Sequence, residues 1–259
     1  MGTTRQVEFR RFPPARRFVT GAIRAGRRMA LMHGLVDVDV TAARRLLHDW
    51  DPPLSLTAFV GACVAHAAAD FPEVHAYRDW RGRLVLNRDV DLAVLVERKT
   101  PEGPVPVGHV LRNANHRTVA DLSAELRSVQ NAPESSISER RFERLAVLAR
   151  IPGMASLFFR ASRRSVRLHQ MTGTVAVSSI GAFGAGSGFG IGVPTMLTLT
   201  VTVGGMSEQA RVVEGQIRVR DILDLTISID HNIVDGAPAA RFGAALRALL
   251  ESAEILNRS

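Results

Sequence analysis

The run Asp230-His231-Asn-Ile-Val-Asp235-Gly236 holds the residue types and spacing in this 259-residue sequence best suited to acid–base chemistry. An imidazole titrates near neutral pH, so His231 can take and return a proton without large tuning. Leu225-Thr-Ile-Ser-Ile-Asp230 before it alternates like a strand, and Asp235, Gly236 and Pro238 after it read as a helix start. Asp235 is the expected N-cap, its carboxylate meeting a bare backbone N–H. A histidine between a strand end and a capped helix can have one ring nitrogen fixed and the other aimed into a cleft, as a general base requires. The same neighbours also suit a structural imidazole, and local physics leaves both readings open.

Other chemistries find less support. The remaining histidines form no H-E-x-x-H and no close ligand pair, so no metal is expected. The lone Cys63 excludes a disulfide framework and any site of several thiolates. The glycine-rich run Gly181–Gly192 has no register of G-x-G-x-x-G, no Lys-Ser or Lys-Thr pair follows it, and a strand pattern comes next rather than a helix. It reads as a packed or flexible loop. G-x-S-x-G is absent too, because Ala185 and Phe189 flank Gly186-Ser187-Gly188.

The elements that must position His231 alternate along the chain. Helices are expected over Arg16–Met32 with Gly34 as a stop, over Thr41–Leu47 with Thr41 as cap, from Ser55 or Thr57 to Phe71, over Thr118–Val129 and over Asp235–Ser252. Strands are expected over Leu35–Val40, Leu84–Leu86, Val90–Val96, Val105–Val110, Thr174–Ser178, Leu197–Val203, Gln209–Val213, Gln216–Val219 and Leu225–Asp230, with Glu214-Gly215 as a hairpin turn. This mixture predicts one α/β (α+β) domain over residues 1–259, built on a mixed or largely antiparallel sheet.

Composition narrows the partners. The net charge of +8 comes from 32 arginines and a single lysine, Lys99, against 25 acidic residues. Residues 1–30 carry +7 and residues 139–170 carry +6, leaving the rest of the chain mildly acidic. The arginines are not interleaved with stacking aromatics, since the chain has one tyrosine and two tryptophans, so nucleic acid is not an expected partner. Two solvated basic helix faces account for the pattern, and an acidic carrier protein, an anionic membrane surface or a polyphosphate-bearing cofactor would also fit it. No secretory signal and no transmembrane segment is read, and a cytoplasmic location is expected.

The motif and the helix after it closely resemble the D-H-x-x-x-D-G signature and final helix of the acyltransferase (E2) catalytic domain of 2-oxo acid dehydrogenase complexes, which shares its fold with chloramphenicol acetyltransferase. Gly173-Thr-Val-Ala-Val-Ser-Ser-Ile-Gly-Ala-Phe-Gly184 is similar to that family's G-T-F-T-I-S-N-L-G-x-F-G. The character of Leu54–Arg127 agrees, and the resemblance runs from about Arg16 to Glu251. It implies a two-layer, trimer-forming fold with a mixed sheet and packed helices. His231 then matches the general base, Ser178 the hydroxyl that stabilises the oxyanion, and Asp235 a mainly structural carboxylate, for which Arg16 or Arg17 is the candidate partner. His231 and Ser178 would come from different subunits of a homotrimer or a multiple of trimers. The donor would be an acyl-CoA, with acetyl-CoA expected.

The departures bear on the acceptor. Asn232 stands where the E2 pattern usually has Arg, Ser179 replaces the usual Asn, and 139–170 looks like a basic amphipathic insertion. Residues 1–15 read as an N-terminal arm, with no lipoyl or subunit-binding domain expected and no covalent lipoyl group on this chain. The expectation is transfer to a hydroxyl of a small-molecule or carrier-bound alcohol, as in tetronate-type natural-product pathways, with an acyl carrier protein as a candidate partner. The alternative is a dihydrolipoamide acyltransferase core served by a lipoyl domain in trans. An inactive trimeric scaffold is the third reading.

Overall fold

The most apolar stretch becomes helix α3, Leu56–Asp70, started by Ser55, whose hydroxyl accepts from the Ala58 N–H at 3.4 Å, and stopped before Pro72. Its alanine-rich surface is buried almost all round, so neighbours approach closely on every side. The computed structural model describes residues 7–9, 14–100, 103–131, 153–179 and 186–258, with backbone alone at 14–19, 98–100, 103–106, 155–156 and 258. Residues 139–152 of the basic stretch, Gly181–Gly184 of the glycine run and most of the 1–15 arm lie outside the described residues.

Strands β1 (Leu31–Asp39), β4 (Leu92–Thr100), β5 (Gly103–Leu111), β6 (Val175–Ser179), β7 (Leu199–Val213) and β8 (Gln216–Asp230) form one sheet in the order β1-β8-β7-β6-β4-β5. The β4–β6 and β6–β7 pairs are parallel and the others antiparallel, so the sheet is mixed, as expected. A small ribbon of β2 (Tyr77–Arg78) and β3 (Leu84–Val85) stands apart from it.

Helices α2 (Thr41–Asp49), α3, α4 (Val119–Gln130) and α7 (Gly236–Ser252) pack on the sheet. Thr118 caps α4 through a capping box with Asp121. In the centre of the sheet, side chains alternate with period two. Leu199, Val201, Val203, Leu225, Ile227 and Ile229 join the hydrophobic core, while Thr200, Thr202, Thr226 and Ser228 occupy the other face and are also buried.

The loop after the glycine run covers part of that polar face. The Gly188 N–H donates to the buried Asp224 carboxylate at 2.6 Å, the Gly205 N–H to the Gly188 carbonyl at 2.8 Å, and the Thr195 and Thr200 hydroxyls pair at 3.0 Å. The packed-loop reading therefore holds over the described part of the run. Gly204 and Gly205 permit this approach, and they sit where the β7–β8 register shifts between Val203 and Met206.

Several boundaries differ from expectation. The helix expected over Arg16–Met32 is α1, Pro14–Gly26, and Gly34 lies inside β1, because Leu31–Asp39 pairs along its whole length with β8. The four segments expected from Leu197 to Asp230 are two 15-residue strands joined at Glu214-Gly215, both at positive φ. Thr41 is not the cap of α2. It is the first helical residue, and its N–H and hydroxyl both donate to Asp39, at 3.0 and 2.6 Å. The basic stretch supplies α5 (Met154–Ser162) and α6 (Val166–Thr172), and α5 packs on α1 through Ala22, Ala25, Phe158 and Phe159. Among the described residues no helix is long and apolar enough to cross a membrane.

A Cβ on Gly205 would overlap the Gly186 carbonyl and lie 2.9 Å from the Gly188 nitrogen, whereas one on Gly108 meets nothing within 4 Å. In urea titrations Gly205→Ala is expected to lose roughly 1–3 kcal/mol, the usual range for overpacking. Gly108→Ala should stay within about 0.5 kcal/mol of the parent. Equal midpoints for the two variants would mean that the loop does not pack on β7.

Candidate active site

His231 is the first residue past β8, held by its backbone while its side chain stays open. Its N–H donates to the Ala30 carbonyl at 2.8 Å, and the imidazole is 51% exposed. The preceding Asp230 is 1% exposed and organises the turn. Its Oδ1 accepts from the Ala30 N–H at 3.1 Å, the Asn232 N–H at 3.1 Å and the Asn232 side-chain amide at 2.7 Å. Oδ2 accepts from Arg163, just past α5, at 3.4 Å. The Ile233 and Val234 N–H groups return to the Asp230 carbonyl, and Val234 is buried in the core. The chain is thereby fixed on both sides of a solvent-facing imidazole.

Asp235 occupies the N-cap position of α7, as expected, but its carboxylate makes no cap hydrogen bond. It lies instead 4.0 Å from His231 Nδ1 and is 87% exposed. That distance is too long for a hydrogen bond and short enough for electrostatic coupling. The expected cap is corrected on this point: the carboxylate turns towards the imidazole rather than over the first helical turn. The side chains of Arg16 and Arg17, the candidate partners of Asp235, fall outside those described.

Ser178 lies one residue from the end of β6, level with Thr202 on β7 and through it with Thr226 on β8. His231 lies five residues beyond Thr226, which puts it about 16 Å along the sheet and about 10 Å across it from Ser178. One chain therefore brings His231 and Asp235 together and keeps Ser178 apart from both. The Ser178 hydroxyl is partly exposed and has no hydrogen-bond partner among the described residues.

Sequence reasoning missed two contributors. Arg163 is 67 residues from Asp230, and no local pattern announces their pairing. Next to the His231 turn, a cavity of about 610 Å³ is lined by Asp230, Asn232, Tyr77, Trp80 and arginines from α1's end, β2 and α5. Among the described residues no group of three His, Cys, Asp or Glu is placed to hold a metal ion.

The fold is that of solved E2 cores and of chloramphenicol acetyltransferase. The solved cubic core of the pyruvate dehydrogenase multienzyme complex matches 99% of this chain and 99% of its own, with a TM-score of 0.69 and 18% identity. A chloramphenicol acetyltransferase structure matches 93% of this chain and 96% of its own, with a TM-score of 0.51 and 16% identity. The model of the family "2-oxoacid dehydrogenases acyltransferase (catalytic domain)" matches residues 140–257.

Among curated proteins, the chain is 30% identical over 236 residues to a lipoamide acyltransferase component of the branched-chain alpha-keto acid dehydrogenase complex from Pseudomonas putida, covering 88% of this chain and 48% of that protein. It is 25% identical over 224 residues to a dihydrolipoyllysine-residue acetyltransferase component of the pyruvate dehydrogenase complex from Rickettsia bellii (strain RML369-C), covering 86% of this chain and 45% of that protein. The chain thus spans about half the length of these relatives. The resemblance to E2 catalytic domains drawn from its two motifs holds in both sequence and fold.

Beside the cavity, Tyr77 and His169 stack with ring centroids 3.7 Å apart, and His75 is buried nearby. Neither histidine has a hydrogen-bond partner for its ring nitrogens among the described residues. Burial pushes both imidazoles down to about 4; for His75 the Ala68 carbonyl opposes this from outside hydrogen-bond geometry, and for His169 the Arg163 charge adds to it. Below about pH 6.5 the unfolded chain takes up protons that the folded chain refuses, so stability falls with falling pH. The melting temperature is expected to drop between about pH 6.5 and about 4 from these two groups, with no further loss from them below that window. The double variant His75→Gln/His169→Gln should flatten the profile there, and an unchanged slope would remove these histidines as its cause.

Proposed function

We propose that this chain is an acyltransferase core moving an acyl group between CoA and the thiol of dihydrolipoamide, with the lipoyl group carried on a separate domain. The observation that carries the reading is the backbone-clamped His231 on the D-H-x-x-x-D-G turn, its imidazole open to substrate in an E2-type fold. The acceptor thiol gives its proton to His231 as its sulfur attacks the thioester carbonyl. The Ser178 hydroxyl donates to the oxygen as negative charge develops there, where a hydrogen bond gains most. Collapse expels the CoA thiolate, His231 returns the proton to it, and no covalent enzyme intermediate is required.

The separation of Ser178 from His231 within one chain supports a site completed by a neighbouring copy, in a trimer or a multiple of trimers. The relatives support the thiol acceptor: those of Pseudomonas putida and Rickettsia bellii are named for lipoamide or dihydrolipoyllysine. The alcohol and carrier-protein acceptors expected from Ser179 and Asn232 find no counterpart in these names, so that expectation gives way to the thiol. The relatives are named for both acetyl and branched-chain complexes, so acetyl-CoA and isobutyryl-CoA are both donors to test. The reading also places the protein in the cytoplasm, where acyl-CoA is available.

Mass spectrometry of acyl-CoA incubated with dihydrolipoamide should show enzyme-dependent S-acyl product. His231→Ala should lower turnover by roughly 10²–10⁴, the range for a lost general base. Ser178→Ala should lower kcat by ~10²–10³ with donor affinity little changed. Acylation of alcohols with none of the thiol would overturn the acceptor assignment.

Co-expressing the two inactive variants tests the shared site separately. Random mixing in a closed ring leaves about a quarter of the sites with both wild-type residues if each site draws on two chains. Recovery of activity near that fraction is expected, and no recovery would mean that one chain supplies both groups.

A further inference from the structure

The two basic segments of the sequence meet in space, and they meet beside the His231 turn. Helix α1 packs on α5, which brings Arg28, from the N-terminal segment, to the same cavity as Arg160, Arg163 and Arg164. Arg78 on β2 lines it too, as does Trp80, 63% exposed. Two aspartates also line the cavity, and both carboxylates are already engaged. Asp79 accepts from Arg83 at 2.8 Å and from the Arg81 and Arg83 N–H groups, while Asp230 holds the turn and Arg163. Among the described residues no carboxylate lies within ion-pair distance of Arg28, Arg78, Arg160 or Arg164.

From this convergence we propose that the cavity is a phosphate-binding site, taking a diphosphate or nucleotide group against Arg28, Arg78, Arg160 and Arg164, with a base on Trp80. The volume of about 610 Å³ suits a ligand of that size. Guanidinium groups match phosphate oxygens in a bidentate fork, and several of them facing one space repel each other until an anion enters. Burial, together with nearby Arg164 and Arg28, lowers the pKa of Arg163, a second sign of concentrated positive charge. The exposed indole supplies a flat apolar surface on which a purine can stack. Asp230 and Asn232 flank His231 in sequence and line the cavity, so the anion site adjoins the turn that carries the imidazole. The ligand has two sources with this chemistry: the nucleotide end of an acyl-CoA, or a free nucleotide bound for regulation. The site does not depend on the acyl-transfer reading.

The test uses the whole protein carrying Trp50→Phe, which leaves Trp80 as the only tryptophan. Pyrophosphate, ADP, CoA and uncharged pantetheine are titrated by fluorescence and by calorimetry. Pyrophosphate and ADP should bind, pantetheine should not, and rising salt should weaken the complex. Arg160→Gln and Arg164→Gln should each cost about tenfold in ADP affinity, and Trp80→Leu should weaken ADP more than pyrophosphate. Unchanged melting curves would show that these variants fold. CoA displacing ADP supports the donor as source, and ADP binding that CoA does not disturb supports a free nucleotide. Failure of pyrophosphate and ADP to bind, or binding that ignores both arginine changes, overturns the proposal. Since no turnover is measured, such a failure leaves the acyl-transfer reading standing.

Discussion

Much of this molecule is arranged around one buried carboxylate. Asp230 closes β8, holds the start of β1 through Ala30, shapes the turn through Asn232, and reaches Arg163 beside α5. Removing a charged group from water is costly, and a buried pair adds little net stability over an apolar one. Its value lies in specificity. Stripping one partner leaves an uncompensated charge, worth about 3–5 kcal/mol, so the alternatives to this arrangement are unfavourable. The same bonds that seat the carboxylate set the path of the chain through His231. The position of His231 is thus set by electrostatics deep in the fold rather than by contacts to the imidazole.

The second organising feature is the two-faced sheet. Alternation along β7 and β8 sends Leu, Val and Ile side chains towards α3 and α7, and Thr and Ser hydroxyls towards the glycine-run loop. Hydroxyls buried under a loop need partners, and some find them, as Thr195 and Thr200 do. Among the described residues Thr202 and Thr226 do not, and they lie in one row with Ser178 across the sheet. A row of unspent hydrogen-bonding capacity is an unusual thing for a protein interior to keep, and it leads to Ser178, the serine proposed above to meet the oxyanion.

Local pattern made much of this legible. The motif and strand around His231, the start of α3, the extent of α4 and the Glu214-Gly215 turn all depend on neighbours within a few residues. Boundaries set by pairing were not legible: β1 extends through Gly34 because β8 is there to receive it, and β7 crosses Gly204-Gly205 because a loop packs on them. Long-range charge was hidden for the same reason. The two arginine-rich segments read as separate solvated faces, and only the packing of α1 on α5 shows that they share a cavity. Asp235 shows the limit at a single residue. Its backbone takes the N-cap place that the sequence implies, while its side chain turns to the nearby imidazole.

Strand direction explains why Ser178 and His231 stand apart. β6 runs parallel to β7, and β7 runs antiparallel to β8, so β6 and β8 point in opposite directions. Ser178 lies near the C-terminal end of β6, and His231 follows the C-terminal end of β8. The two residues therefore lie towards opposite strand ends within one sheet, and no side-chain rotation closes a gap of about 16 Å along the strands. Bringing them to one carbonyl within a chain would require breaking the register that buries the core. A second copy, rotated so that its Ser178 end faces the His231 end of the first, achieves this with the fold intact. Symmetry then makes the same contact at every junction of a closed ring. On this argument the ring of copies proposed above would follow from sheet topology.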